Sequence, residues 1–169
     1  ARADNVDRPD RLVMDLDPHE SVPWDRVIEA ARQIRERLAR GGLKSFVKTT
    51  GGKGLHVVLP LRRRHGWDEV RNFSRAIAQT LVRDSPHEFT TAMGKSSRAG
   101  KIFVDYLRND RGATAIAAYS TRAREGAPVA TPLAWDELSP TLRSDAFTLH
   151  NLAGRLARLR TDPWADIGR

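Results

Sequence analysis

The chain has 169 residues, enough to bury the core of one domain, and no cysteine, which excludes disulfides, zinc–thiolate sites and a thiol nucleophile. Its formal net charge of +8 favours a polyanionic partner, nucleic acid or nucleotide first, over a surface that is merely basic. No apolar run approaches the length of a membrane span and no signal peptide is visible, so we expect no membrane partner.

The first predicted element is a short buried strand over residues 12–18. Its even-numbered apolar residues point to one face, whereas Asp15 and Asp17 share the other face. Pro18 ends the strand, because proline cannot donate to a ladder. Two carboxylates this close repel each other unless a cation lies between them, which favours a divalent metal site. The alternative is a strand end with two solvated acids.

The next elements alternate between helical and strand periodicity. They are a helix over 23–40, strands over 44–49 and 55–61, a helix over 67–83, a weak strand over 89–92 and a strong strand over 102–107. The order β-α-β-β-α-β is typical of a split βαβ sheet. The predicted fold class is therefore α+β, a ferredoxin-like or RRM-like sheet with its helices on one face.

A less regular C-terminal extension follows this sheet. We expect a strand within 113–121, a helical turn over 133–138 and a last helix capped by Thr148. Four leucines of that helix share one face: Leu149, Leu152, Leu156 and Leu159.

The turn between the second and third strands, residues 50–54, is rich in glycine and carries a lysine. Glycines let backbone N–H groups approach phosphate closely. The Thr50 hydroxyl, the Lys53 ammonium and the His56 ring would complete a phosphate cradle on the open face of the sheet. The alternative is a solvated turn with an ordinary sheet histidine, since the spacing is not that of a P-loop and no helix follows.

Asp105 lies inside an apolar strand, where an acid is costly unless it is paired or bound to metal. If this strand lies beside the first, then Asp105, Asp15 and Asp17 converge on the open face and could hold Mg²⁺ for phosphoryl or nucleotidyl transfer. The alternative is a buried acid paired with Arg108. Four arginines are further candidates for phosphate binding, or else ordinary surface residues: Arg98, Arg108, Arg122 and Arg124.

Three short motifs occur in a fixed order: Asp15-Leu16-Asp17-Pro18, Thr50-Gly51-Gly52-Lys53-Gly54-Leu55-His56 and Phe103-Val104-Asp105-Tyr106. Further matches are Tyr119-Ser120-x-Arg122, Thr131-Pro132-Leu133-x-Trp135, Phe147-Thr148 and Arg160-x-Asp162-Pro163-Trp164. Together they resemble the archaeo-eukaryotic primase superfamily, and in particular the polymerase domain of bacterial DNA ligase D. The resemblance spans essentially the whole chain.

This resemblance implies an RRM-like catalytic core, a nucleotidyltransferase that adds ribo- or deoxyribonucleotides to DNA 3′ ends in non-homologous end joining. It implies a two-metal site of Mg²⁺ or Mn²⁺ held by the family's acids, which are here Asp15, Asp17 and Asp105. It also implies a set of nucleotide-binding residues: Thr50, Lys53, His56, Arg122, Arg98 and Arg108. The family usually has serine at the position of Thr50, which keeps the hydroxyl and adds a methyl group.

Members of the family carry a further segment before the first motif, which covers the base and holds the 5′-phosphate of the DNA end. We therefore expect residues 1–169 to be a catalytic core without its N-terminal subdomain. The partners implied are DNA ends with a 5′-phosphate, NTP or dNTP, a ligase domain or ligase protein, and end-binding Ku. The location implied is the bacterial cytoplasm, at the nucleoid.

Other functions compatible with the residues are a non-catalytic RRM-like module for single-stranded nucleic acid, a metal-dependent phosphoesterase and a folded but inactive remnant. The binding module would bind single strands without metal. The phosphoesterase would share the acids but would need no triphosphate cradle.

Overall fold

A six-stranded mixed sheet forms the centre of the computed structural model, which describes residues 1–168. The strands are β1 (Arg11–Pro18), β2 (Phe46–Thr49), β3 (Leu55–Pro60), β4 (Phe89–Thr90), β5 (Ile102–Asp105) and β6 (Pro132–Leu133). The helices are α1 (Trp24–Arg40), α2 (Trp67–Asp84) and α3 (Leu152–Arg158). Single 3₁₀ turns occur at Ser96–Arg98 and Trp135–Glu137.

The strands are ordered β4-β5-β1-β3-β2-β6 across the sheet. The four inner strands pair antiparallel in the order expected of a split βαβ unit, so the predicted fold class is confirmed. β4 joins β5 in parallel at one edge, and β6 joins β2 at the other. β1 is consequently flanked on both sides and lies at the centre of the molecule.

One face of the sheet packs against α1 and α2. Leu12, Met14 and Leu16 of β1 are fully buried there, as their alternation predicts, and they share a core with Ile34 and Leu81 of the helices. α1 begins directly after Pro23, and the N–H of Gly41 closes it by donating to the carbonyl of Leu38. The opposite face is left for the polar side chains of the same strands.

That opposite face is only half open. Trp164 packs edge-on against Phe46, with ring centroids 6.2 Å apart, and joins a second apolar cluster with Val13 and Val58. Its indole N–H donates to the carbonyl of Val47 at 3.0 Å. The C-terminal segment thus covers the end of the face that lies away from the acids.

The C-terminal extension differs from the prediction in two places. The strand expected within residues 113–121 is wrong: the segment is irregular, makes a single bridge from Thr121 to Val129, and turns at Tyr119, whose φ is 63°. The positive φ of Tyr119 interrupts the extended backbone that a strand needs, and residues 119–122 hydrogen-bond to residues 128–130 rather than to the sheet.

The last helix starts after Asn151 rather than Thr148, and its leucine face is not buried. Leu149 and Leu156 are 58% and 43% exposed, because helical periodicity alone does not supply a surface to cover them. α3 is held by Arg155, which pairs with Glu137 and lies over the ring of Phe147. No helix within residues 1–168 is long and apolar enough to cross a membrane.

Candidate active site

Antiparallel register places four polar side chains in one row across the sheet. Asp15 on β1 lies opposite Asp105 on β5 and opposite His56 on β3, and His56 lies opposite Lys48 on β2. Registered partners project to the same side of a sheet, so the row stands on the face away from the helices. Asp17 follows two residues after Asp15 on this face, and the structure thus brings the three acids of the sequence motifs together.

Arg108 connects the two central acids of the row. Its Nε lies 2.9 Å from Oδ2 of Asp105 and 3.6 Å from Oδ2 of Asp15. Oδ1 of Asp15 lies 3.3 Å from Nε2 of His56 on the other side. The pairing of Asp105 with Arg108 that the sequence offered as an alternative is therefore present, and it coexists with the convergence of the acids.

Arg98 provides the partner of Asp17, with 3.4 Å between Nη1 and Oδ2. The guanidinium also lies 3.6 Å above the ring of Phe103, which faces Asp17 in the β1–β5 register. Arg98 thereby covers the outer acid from the loop that precedes β5.

The three carboxyl groups differ in their ionisation. Burial opposes the charge of Asp15, but the hydrogen bond from His56 and the nearby cations, Arg108 among them, bring its pKa below the ordinary value. Burial raises the pKa of Asp17, and the charge of Asp15 adds to this. Burial likewise raises the pKa of Asp105, against the attraction of Arg108.

Three carboxylates on one face offer the oxygen donors that Mg²⁺ and Mn²⁺ prefer, so the donor chemistry fits a divalent cation. Their oxygens are at present directed to Arg98, Arg108 and His56. No group of three or more His, Asp or Glu side chains within residues 1–168 is arranged so that it could hold a metal ion as it stands. Metal binding would require the carboxylates to exchange these cationic partners, and it stays a prediction.

The glycine-rich turn packs directly on the acid end of β1. A Cβ atom at Gly54 would lie 1.8 Å from the carbonyl oxygen of Leu16, so only glycine permits this approach. The Thr50 hydroxyl accepts the N–H groups of Gly52 and Gly54 at 3.2 and 3.3 Å and lies 3.2 Å from the hydroxyl of Ser144. Thr50 was predicted as a nucleotide ligand, but here its hydroxyl bonds organise the turn itself.

A cavity of about 670 Å³ opens above the row. All the predicted site residues line it except Asp105 and Arg98. Asp105 lies at the end of the row beside Asp15, and Arg98 lies over Phe103. The irregular segment after β5 contributes Thr114–Ala117 and two arginines, Arg122 and Arg124.

The charges around the cavity are unevenly compensated. Arg98 and Arg108 are each paired with a carboxylate. Lys53, Arg122 and Arg124 form no ion pair with a carboxylate in the part of the chain that the structure describes. One side of the cavity therefore carries acids, and the other carries cations without an ion-pair partner, which favours the binding of an anion there.

Sequence reasoning missed two contributors. Lys48 forms the β2 end of the row, and the alternation of β2 could have placed it beside His56 once the hairpin register was assumed. Ser144 donates to the carbonyl of Gly54 at 2.6 Å from 90 positions along the chain, and no local pattern indicates such a contact.

Burial lowers the pKa of Lys48 to about 7, and it also lowers the pKa of His56.

The model of the LigD primase-polymerase domain family matches residues 1–164. The multifunctional non-homologous end joining protein LigD of Pseudomonas aeruginosa is 51% identical over 163 residues, which are 96% of this chain and 19% of that protein. The bifunctional LigD of Bacillus subtilis is 33% identical over 152 residues, 89% of this chain and 25% of the relative. The chain thus spans about a fifth to a quarter of the length of these relatives.

Among solved structures, the polymerase domain from Mycobacterium tuberculosis ligase D in complex with DNA superposes with a TM-score of 0.84. It is 40% identical, and the match covers 89% of this chain and 52% of that one. Sequence, family model and fold agree, and the chain belongs to the LigD primase-polymerase domain family.

Proposed function

We propose that this chain is the catalytic core of a nucleotidyltransferase that adds nucleotides to DNA 3′ ends in non-homologous end joining. The observation that carries the proposal is one cavity that Asp15 and Asp17 line on one side, with Asp105 beside Asp15 in the row, and that cations without a carboxylate partner line on the other. A nucleoside triphosphate needs cations for its phosphates, and in-line transfer needs acids placed beside them.

The residues around the cavity would have different roles according to their position. Lys53, Arg122 and Arg124 would bind and orient the phosphates, since they line the cavity without a carboxylate partner. Asp15, Asp17 and Asp105 would hold Mg²⁺ or Mn²⁺. A divalent cation held there would neutralise charge on the triphosphate and lower the pKa of the primer 3′-hydroxyl.

His56 and Arg108 would keep the acids in place. His56 lines the cavity and contacts Asp15, while Arg108 joins Asp15 to Asp105. These contacts would hold the carboxylates in one row until a metal ion replaces the cationic partners.

The names of the relatives support the partners that we propose. The P. aeruginosa relative is an end-joining protein, and the matched M. tuberculosis domain is in complex with DNA. We infer that the substrates are DNA ends with a 5′-phosphate together with NTP or dNTP. A ligase activity and the end-binding protein Ku would act at the same break, at the bacterial nucleoid.

The open face argues against the single-strand binding module. RRM-type modules stack bases on exposed aromatic rings of the central strands. Here Phe46 is covered by Trp164, and Phe103 is covered by Arg98. The acids between them, of which Asp17 is the exposed one, would repel the phosphates of a strand in the absence of metal.

The test is extension of a primer on a gapped, 5′-phosphorylated duplex by the intact protein with Mg²⁺ or Mn²⁺. Asp15→Asn, Asp17→Asn and Asp105→Asn should each lower incorporation by at least about 100-fold while the fold is retained. Glu36→Gln makes the same chemical change on the exposed face of α1 and should extend normally.

Near-normal extension by any one of the three variants would remove that acid from the site. Release of single nucleotides by the unaltered protein without extension would instead indicate a phosphoesterase.

A further inference from the structure

Lys48 is a buried lysine that the proposed mechanism does not use. It is 3% exposed and forms the end of the polar row, beside His56. It does not line the cavity, whereas His56 and Thr50 do. Its ammonium donates to the carbonyl of Thr49 at 3.4 Å, a long and weak hydrogen bond.

The groups that face Lys48 do not compensate a full positive charge. His56 faces it from β3, Asp15 lies one strand further on β1, and Arg122 approaches from the segment after β5. β6 presents the uncharged Pro132 opposite it. Lys48 forms no ion pair with a carboxylate within residues 1–168, and Asp15 is already engaged by His56 and Arg108.

This environment favours the neutral amine. Burial penalises the ammonium, Arg122 repels it, and the attraction of Asp15 only partly offsets these effects, so the pKa of Lys48 falls to about 7. A buried lysine shifts its pKa readily, whereas an arginine stays charged. An anion entering the cavity would reverse the balance, because it would supply the negative charge that the surroundings of Lys48 lack.

We propose that Lys48 is a proton-accepting countercharge for the nucleotide, so that triphosphate binding is coupled to proton uptake. The proton would come from solvent and add to the lone pair of the neutral Nζ, and the ammonium would then attract the bound phosphates through the floor of the cavity. The inference rests on the proposed function, because it takes the triphosphate as the ligand of this site.

The sign of the pH dependence follows from linkage. Well below its pKa of about 7, Lys48 is already charged in the free protein, and affinity is at its plateau. As the pH rises above that value, binding must be accompanied by proton uptake, and affinity falls until the higher pKa of the complex is passed.

Calorimetric titration of the intact protein with ATP and Mg²⁺ tests the coupling at pH 8, in two buffers of different ionisation enthalpy. The unaltered protein should take up a substantial fraction of a proton more than Lys48→Arg, whose guanidinium stays charged. Near pH 7, Lys48→Met should bind ATP on the order of tenfold more weakly. Lys44→Met removes an exposed lysine that lies just before β2, and it should change neither the proton uptake nor the affinity for ATP.

A role in stability alone predicts a different pattern. Lys48→Met removes a buried charge and should unfold at an equal or higher temperature despite its weaker binding. Should either variant fail to fold, NMR titration of the Lys48 side chain in the unaltered protein measures its pKa directly, which must rise when ATP is added.

Equal proton uptake by the unaltered protein and Lys48→Arg, or a Lys48 pKa that does not move with ATP, would overturn the inference alone. Complete failure of the unaltered protein to bind ATP would overturn the proposed function, and this inference with it.

Discussion

At the scale of single residues, Asp17 shows that a side chain of the candidate site can destabilise the folded chain. Burial and the neighbouring charge of Asp15 raise its pKa, so its ionised form is less stable in the folded chain than in the unfolded one. Arg98 offsets part of this penalty at 3.4 Å. Sites that bind cations commonly retain such unfavourable charges, because the ligand relieves them.

We therefore expect Asp17→Asn to raise the stability of the metal-free protein near neutral pH while it abolishes nucleotide addition. A raised folded pKa means that the folded state binds more protons, so the penalty is absent below the unfolded pKa and grows as the pH rises through the folded pKa. Thermal unfolding between about pH 3 and 7 measures this, on the basis of an ordinary Asp pKa near 4. A variant that is less stable than the parent at pH 7 would contradict the direction of the shift.

Single residues of the site were predictable where strand alternation decides their direction. Period-two alternation is sufficient to place Asp15, Asp17 and His56 on one face. It cannot show that the Thr50 hydroxyl also contacts Ser144, because this partner lies 94 positions away. Strand alternation also does not report how deeply a side chain is buried, and the lowered pKa of Lys48 depends on its burial.

The glycine-rich turn is the element whose sequence is most narrowly constrained. Gly54 brings its backbone against the carbonyl of Leu16 at the acid end of β1. This contact fixes the distance between the glycine-rich turn and the acids of β1, so the turn connects the cationic side of the cavity to the acidic side.

Gly54→Ala should lower the free energy of unfolding by about 2 kcal/mol or more, since the added methyl meets backbone rather than a movable side chain. Gly154→Ala is the matched control: it lies in α3 with open space around the new methyl and should be neutral or stabilising by about 0.5–1 kcal/mol. Urea unfolding of both variants compares them. Equal stability of Gly54→Ala and the parent would show that the turn can move away from β1.

The regular elements of the sheet and its two helices were predictable because each has its own periodicity and end signals. The irregular segment that lines the cavity was not. Residues 113–121 resemble a strand in composition, yet composition cannot show that the backbone turns at Tyr119 and that residues 119–122 hydrogen-bond to residues 128–130 instead of to the sheet. The leucines of α3 likewise indicate a helix without indicating whether anything covers them.

For the whole molecule, the C-terminal segment acts as a partial second layer. Helices cover one face of the sheet, and Trp164 closes the distant half of the other face over Val13, Phe46 and Val58. The cavity is the half that remains. The sheet order could be derived from the order of elements along the chain, but this cover could not, because Trp164 reaches Val47 from 117 positions away.

Trp164→Ala should cost about 3 kcal/mol of stability, since it removes a buried ring and leaves the carbonyl of Val47 without its donor. Trp164→Phe keeps the ring contact with Phe46 and should lose only about 1 kcal/mol. Thermal and urea unfolding distinguish the two. If the alanine variant unfolds like the parent, the segment does not contribute to the core.

The β1–β5 register determines where the chain can change in length. Because Asp15 and Asp105 are direct partners, a one-residue deletion inside β5 would turn Asp105 toward the helices and remove it from the row. The part of the β4–β5 connection that precedes the Ser96–Arg98 turn carries no such restriction, since added residues there would loop outward and leave both the pairing and the position of Arg98 unchanged. Length variation in descendants of this chain should therefore collect in residues 91–95, and the strands on either side of β1 should keep a constant length.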